Sequence, residues 1–122
     1  KSIGRWLYSH VAGIAPLAPG FLEIRIRPRL DKRLSSASAT VDVRPGRIRS
    51  EWQVQGGKLA LTADIPPNAT ARIHVFTSSP ESVRENARIP GPETGVRFVG
   101  SENGYAVYGV GSGVYRFTST ID

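Results

Sequence analysis

The chain of 122 residues contains no cysteine and no methionine, and it has only two histidines. Without cysteine there is no disulfide framework, no thiolate metal site and no cysteine nucleophile. His10 and His74, in unrelated predicted elements, are too few for a zinc site. No apolar run approaches the ~20 residues that span a bilayer, and no charged-then-apolar leader pattern opens the chain. We therefore expect no cofactor, no metal and no membrane partner.

Paired acids are also lacking. The ten Asp and Glu residues are scattered over predicted turns and outward strand positions, whereas glycoside hydrolysis requires two carboxylates that flank a cleft. Gly111-Ser112-Gly113 joins two predicted strands without a following helix, so it predicts a turn rather than a phosphate-binding loop. The sequence therefore indicates a single domain without catalytic residues of its own.

The net charge of +6 is concentrated in the first part of the chain. Residues 1–49 hold ten Lys or Arg against three Asp or Glu, and residues 50–122 hold six against seven. Alternating arginines, as in Arg25, Arg27 and Arg29 or in Arg47 and Arg49, are typical of the solvent face of a strand. No interleaved aromatic residues accompany them, so a solvated or interdomain face is favoured over a site for nucleic acid or another polyanion.

One helix is predicted, over Ser2 to Ala12. Its apolar positions recur at spacings of three and four and fall on one stripe, which consists of Ile3, Trp6, Leu7, His10, Val11 and Ile14. Ser2 is a suitable N-cap, and Gly13 stands where a left-handed residue ends a helix. The lone histidine of the stripe is interpreted as a packing residue.

Period-two alternation, the mark of a half-buried strand, dominates the remainder. It predicts strands within residues 21–27, 37–43, 47–54, 58–65, 69–75, 96–99, 105–110 and 114–118. The pattern over 47–76 predicts three strands of one sheet with one wet face, separated by turns at Gly56-Gly57 and Pro66-Pro67-Asn68. The fold class is therefore all-β: an antiparallel β-sandwich of about eight short strands with one N-terminal helix.

Aromatic residues offer an alternative function. Trp52, Tyr105, Tyr108 and Tyr115 would form a platform for sugar rings if they were exposed together, as in a free-standing carbohydrate-binding module. However, Trp52 is in phase with Ile48 and Val54, and Tyr115 is in phase with Phe117, so core packing is the favoured interpretation.

Several short motifs resemble the bacterial α-L-rhamnosidases in their order and spacing. They are Ser2-Ile3-Gly4-Arg5-Trp6-Leu7-Tyr8, Val11-Ala12-Gly13-Ile14, Ala18-Pro19-Gly20-Phe21, Ile26-Arg27-Pro28, Gly46-Arg47-Ile48, Ser50-Glu51-Trp52, Ile65-Pro66-Pro67-Asn68-Ala69-Thr70 and Val110-Gly111-Ser112-Gly113-Val114-Tyr115-Arg116-Phe117. The resemblance covers most of residues 2–76 and about the last dozen.

In that family an (α/α)6 barrel carries an inverting glycosidase site, and an antiparallel β-sandwich follows it. The resemblance implies that residues 1–14 are the tail of the last barrel helix and that residues 15–122 are the C-terminal sandwich domain. It places the catalytic acid and base in the barrel, upstream of Lys1, so it implies no catalytic residue in this chain.

The expected function is therefore structural support of a catalytic barrel, with a share in one wall of the substrate entrance. The interdomain surface is expected to be Ile3, Trp6, Leu7, His10 and Val11. Because a chain that opens on Lys1 is interpreted as cut from something longer, the same stripe is expected to mediate self-association when barrel helices are absent. No nucleic-acid partner is expected.

Overall fold

The computed structural model of the chain describes residues 13–17, 23–29, 36–42 and 46–121. These ranges contain ten β-strands: β1 Ile14–Pro16, β2 Glu23–Ile26, β3 Ser36–Asp42, β4 Arg47–Gln55, β5 Lys58–Ile65, β6 Thr70–Phe76, β7 Arg84–Glu85, β8 Val96–Glu102, β9 Tyr105–Val110 and β10 Gly113–Thr120. The predicted all-β class is confirmed, with two short strands, β1 and β7, beyond the expected eight.

The strands form two five-stranded sheets. Sheet A has the order β1-β2-β6-β9-β8, and sheet B has the order β3-β4-β5-β10-β7. Their inner faces pack against each other, as the stacked rings of Tyr108 and Phe117 illustrate with centroids 5.3 Å apart. Pairing is antiparallel except between β2 and β6, which run parallel. Sheet A therefore contains one parallel ladder, and the sandwich is not wholly antiparallel as predicted.

The prediction that residues 47–76 form one sheet is wrong in one respect. β4 and β5 are neighbours in sheet B, but β6 belongs to sheet A. The Pro66-Pro67-Asn68 turn therefore carries the chain from one sheet to the other. Alternation shows which side of a strand is buried, but it does not show which sheet the strand joins.

The core is built by the inward positions that the alternation predicts. Ile48, Ser50 and Trp52 of β4 are buried, with Trp52 only 2% exposed. Tyr115 and Phe117 of β10 are also buried. The core assignment of these aromatic residues is confirmed.

The chain enters sheet A at Gly13, whose φ of 76° confirms the predicted left-handed conformation. The Arg27 N–H donates a hydrogen bond of 2.9 Å to the Gly13 carbonyl, and a Cβ at residue 13 would overlap the Arg27 carbonyl oxygen. Glycine is therefore required here for both its conformation and its size.

Ile14 corrects the predicted helical stripe, because it begins β1 and pairs with Ile26 instead of continuing a helix. The predicted helix over Ser2 to Ala12, and with it the stripe residues Ile3, Trp6, Leu7, His10 and Val11, lies outside the described residues.

The predicted turn at Gly56-Gly57 is confirmed, and a second turn of the same kind follows β8. Gly56 and Gly57 connect β4 to β5, and Asn103 and Gly104 connect β8 to β9, with positive φ at all four residues as type I′ hairpin turns require. A short 3₁₀ helix follows β6 at Pro80–Ser82. Within the described ranges, no helix has the length and apolar character needed to cross a bilayer.

Candidate functional site

The aromatic residues named as a sugar platform do not form one. Trp52 and Tyr108 project into the core, and Tyr105 lies on the outer face of sheet A, yet all three are at most 8% exposed. Sugar-binding modules of that type need exposed ring faces. The structure therefore contradicts the alternative of a carbohydrate-binding module that uses these residues.

The two arginine stripes lie on opposite sides of the sandwich. Arg25 and Arg27 follow the outer phase of β2 in sheet A, whereas Arg47 and Arg49 follow the outer phase of β4 in sheet B. The stripes do not combine into a single basic surface, which a polyanion-binding groove would need.

On the outer face of sheet B, Arg49 lies close to two carboxylates. Arg49 Nε lies 3.2 Å from Asp64 Oδ2, and Arg49 Nη1 lies 3.7 Å from Glu51 Oε2. Such partly exposed pairs contribute little to stability and are typical of a solvated face.

The outer face of sheet A contains a buried aromatic cluster at the end of β6. The Tyr105 hydroxyl donates a 2.7 Å hydrogen bond to the Pro28 carbonyl, and the Arg27 guanidinium lies 5.1 Å from the Tyr105 ring centroid. The rings of His74 and Phe76 meet the Tyr105 ring edge-on at 5.8 and 5.3 Å. The cluster fixes the chain that leaves β2 against the ends of β6 and β9.

His74 in this cluster does not have the properties of a general base. It is 5% exposed, and its Nδ1 has no hydrogen-bond partner among the residues that the structure describes. Burial lowers the pKa of His74 below its ordinary value, the nearby Arg27 and Arg25 lower it further, and Glu102 opposes them. Burial likewise raises the pKa of Tyr105. Both groups are therefore neutral at pH 7, as packing residues are.

A groove of about 960 Å³ lies where β2, β6 and β8 begin and β9 ends. Its charged lining residues are Glu23, Arg72 and Arg97, and its apolar lining residues include Ala71 and Val96. Such a volume is typical of a small-molecule site.

Arg72 and Arg97 stand on either side of Gly109 in the groove. Gly109 of β9 pairs with Arg72 of β6 and with Arg97 of β8, so all three share one row on the outer face of sheet A. Arg97 Nη2 lies 2.8 Å from the position that a Cβ of residue 109 would occupy. Glycine at 109 thus leaves room for the Arg97 guanidinium above the sheet.

The groove lacks the acid–base pair of a glycosidase. Among the described residues that line it, Glu23 is the single carboxylate. No cluster of three potential metal ligands occurs in the described ranges either. The described lining therefore offers two cations and one anion, which is the chemistry of a binding site rather than of a glycosidase.

Comparison with known proteins identifies the family. Residues 13–89 match the family described as the bacterial alpha-L-rhamnosidase C-terminal domain. This chain belongs to that family. The match covers β1 to β7 and ends before the strands that complete both sheets.

Known rhamnosidases resemble the chain in sequence and in structure. The alpha-L-rhamnosidase of Streptomyces avermitilis is 38% identical over 117 residues, which is 96% of this chain and 11% of that protein. The alpha-L-rhamnosidase of Formosa agariphila is 40% identical over 83 residues, or 68% of this chain and 9% of that protein. The chain thus spans about a tenth of the length of these relatives.

Two solved structures of rhamnosidases contain the same fold. The Streptomyces avermitilis enzyme in complex with L-rhamnose superimposes with a TM-score of 0.83 over 96% of this chain and 11% of that one. The enzyme from Dictyoglumus thermophilum, at 26% identity, gives a TM-score of 0.78 over 96% of this chain and 13% of that one. The predicted resemblance to a rhamnosidase C-terminal domain is confirmed.

Proposed function

We propose that this chain is an accessory domain that supports the catalytic domain of an α-L-rhamnosidase and forms one wall of its substrate entrance. The main support for this proposal is the family match, together with the roughly tenfold greater length of the rhamnosidase relatives. Glu23 is the single carboxylate among the described residues of the groove, which supports a role without catalysis, because an inverting glycosidase needs an acid and a base.

The proposed contact with the catalytic barrel is the apolar stripe of residues 2–12, which comprises Ile3, Trp6, Leu7, His10 and Val11. Residue 12 is joined directly to Gly13, which the hydrogen bond from Arg27 holds at the edge of sheet A. A helix over residues 2–12 would therefore lie between the barrel and this sheet edge. Its apolar side chains would be buried against neighbouring barrel helices.

The first test concerns catalysis. We expect the purified chain to hydrolyse no aryl α-L-rhamnoside, because the described part of the groove offers Glu23 without a second carboxylate. Release of the aryl group would be followed by absorbance, with heat-treated protein as the blank. Turnover above that blank, abolished by Glu23→Gln, would refute the accessory role and reassign the groove as an active site.

The second test concerns the stripe. Without barrel helices two copies are expected to bury their stripes against each other, since a large exposed apolar patch is unusual on a monomer. Light scattering should give a mass that rises with concentration, and Trp6→Glu should lower it to that of the 13.2 kDa monomer. Ile89→Glu is the matched control, because Ile89 is a 72% exposed apolar residue elsewhere.

Two outcomes would contradict the proposed stripe. The parent chain would be monomeric at every concentration, or Ile89→Glu would dissociate the oligomer as well as Trp6→Glu does. Circular dichroism of each variant should retain the strand signal, which separates loss of association from loss of the fold.

A further inference from the structure

A row of three arginines crosses the outer face of sheet A. Arg25 of β2 pairs with Arg72 of β6, so the two side chains start next to each other on the same face. Gly109 of β9 pairs with Arg72 on one side and with Arg97 of β8 on the other. Neighbouring strands are about 4.8 Å apart, so this arginine row is roughly 14 Å long from Arg25 to Arg97.

The arginine row has no countercharge within the part of the chain that the structure describes. The ion pairs found there join Arg49 to Asp64 and to Glu51, on the other sheet. Like charges that lie directly opposite each other in a sheet are destabilising. In addition, Arg25 Nε is buried without a hydrogen-bond partner among the described residues, and such a donor costs free energy. The stability of this domain therefore does not explain the row.

Gly109 lets the Arg97 guanidinium lie over the sheet. Arg97 Cζ lies 3.4 Å, and Nη2 2.8 Å, from the position of a Cβ on residue 109. Because β9 lies between β8 and β6, this conformation directs the guanidinium towards Arg72. Each planar guanidinium offers a fork of donors that matches the two oxygens of a carboxylate.

The arginine row begins close to the point where the proposed barrel contact joins the sandwich. Ala15 of β1 pairs with Arg25, and Gly13, two residues earlier, follows residues 2–12 directly. A catalytic domain attached there would be held beside the row, and a short connection gives it a high effective concentration. In the Streptomyces avermitilis relative the matched segment is 11% of the protein, which leaves a large partner in the same chain.

We propose that the arginine row binds an acidic segment of the catalytic domain, whose side-chain carboxylates pair with Arg25, Arg72 and Arg97. This rests on the proposed function, which supplies the partner. A row of roughly 14 Å matches about four residues of extended peptide and is longer than an inorganic anion. The rings of Tyr105 and His74 on this face are 8% and 5% exposed, so they offer a nucleic acid no stacking platform.

The binding test is calorimetric titration of the full chain with hexaglutamate and with hexaglutamine, which is neutral and of the same length. We expect hexaglutamate to bind about tenfold more tightly at low salt, and the difference to shrink as salt is added. Arg72→Gln and Arg97→Gln should each weaken the binding of hexaglutamate about fivefold. Arg116→Gln is the matched control, because it removes an exposed arginine from β10 in sheet B and lowers the net charge equally.

A melting experiment detects the repulsion within the row. Arg72→Gln removes the like charge beside Arg25, so the melting temperature of the chain on its own should rise by about 1–4 °C at low salt. The rise should vanish in salt of about 1 M, where charges more than about 3 Å apart are screened. Arg116→Gln should change the melting temperature by less than about 1 °C. A fall of the melting temperature in Arg72→Gln would contradict the unpaired state of the row.

Gly109→Ala tests the geometry without changing the charge. The new methyl group meets the end of the flexible Arg97 side chain and a methyl group of Val99, so the fold is retained while the guanidinium moves. We expect weaker binding of hexaglutamate without a lower melting temperature. Full affinity in this variant would contradict the assigned position of the carboxylate.

Each outcome of the titrations decides for or against the proposed partner. Equal affinity for the two peptides, binding of neither, or an equal loss in Arg116→Gln and Arg72→Gln overturns it. Binding of a six-nucleotide oligothymidylate or of inorganic phosphate in preference to hexaglutamate would assign the row to phosphate groups instead. None of these results affects the accessory role, which the rhamnosidase assay and the association experiment test separately.

Discussion

Trp52→Ala is expected to lower the free energy of unfolding by about 3–5 kcal/mol, the usual loss when a large buried aromatic side chain is removed. Trp52 is 2% exposed and lies in β4 beside Leu61 of the neighbouring strand β5. A domain of this size has about 5–15 kcal/mol of stability in total. The melting temperature should therefore fall by about 10–20 °C, as measured by circular dichroism and by urea denaturation.

Two companion variants show whether the loss comes from the cavity. Trp52→Phe retains an aromatic ring and should cost less than the alanine change, because a smaller volume is lost. Ile89→Ala removes an apolar side chain that is 72% exposed and should change stability by about 0.5 kcal/mol or less. If Trp52→Ala melts within a few degrees of the parent chain, Trp52 does not hold the core together.

Gly13→Ala has the second large effect, of about 2–5 kcal/mol. Left-handed backbone costs an alanine about 1–2 kcal/mol, and overpacking adds roughly 1–3 kcal/mol. The φ of 76° supplies the first contribution, and overlap of the new Cβ with the Arg27 carbonyl supplies the second. Because backbone atoms cannot rotate aside as a side chain does, β1 must separate from β2.

The glycines elsewhere in the chain separate the two contributions. Gly95 has nearly the same φ, 74°, but no atom lies within 4 Å of its Cβ position, so Gly95→Ala should show the conformational cost alone. Gly91 is extended and equally open, so Gly91→Ala should be nearly neutral. Hydrogen exchange at the Arg27 amide should be faster in Gly13→Ala only. Equal losses for residues 13 and 95 would contradict the clash.

Most of the sheet structure could be predicted because period two is a strong signal in strands of six residues or more. β4, β5 and β10 follow it closely, and the glycine and asparagine turns mark where hairpins reverse. β1 and β7 have only three and two residues, too few to show a period, and hydrogen bonds to neighbouring strands define them instead.

The pairing of strands that are far apart in the sequence could not be predicted from a local pattern. The parallel ladder between β2 and β6 joins residues 23–26 to residues 70–73, and nothing in either segment encodes its partner. Tyr105 shows a related effect, since its outward phase suggests exposure. In the structure Tyr105 is buried instead, because the Arg27 side chain covers its ring and its hydroxyl is hydrogen-bonded to the Pro28 carbonyl.

The groove could not be predicted from the sequence either. Arg72, Arg97 and Gly109 belong to three strands and meet only through the registers of β6, β9 and β8. In the sequence Arg97 and Arg72 are indistinguishable from any other outward arginine. One local signal was present: Phe98 and Val99 are consecutive apolar residues in an edge strand, and both are exposed.

In both sheets, strands from the end of the chain pair with strands from its first part. This pairing determines the smallest part of the chain that can be exchanged between enzymes. The family match ends at residue 89, but β9 lies beside β6 in sheet A, and β10 lies beside β5 in sheet B. A chain shortened to residue 89 would lose the central partner in both sheets and expose the ladder edges of β5 and β6, which invites aggregation. Recombination at that point would yield an insoluble fusion, so the inherited module must extend through β10.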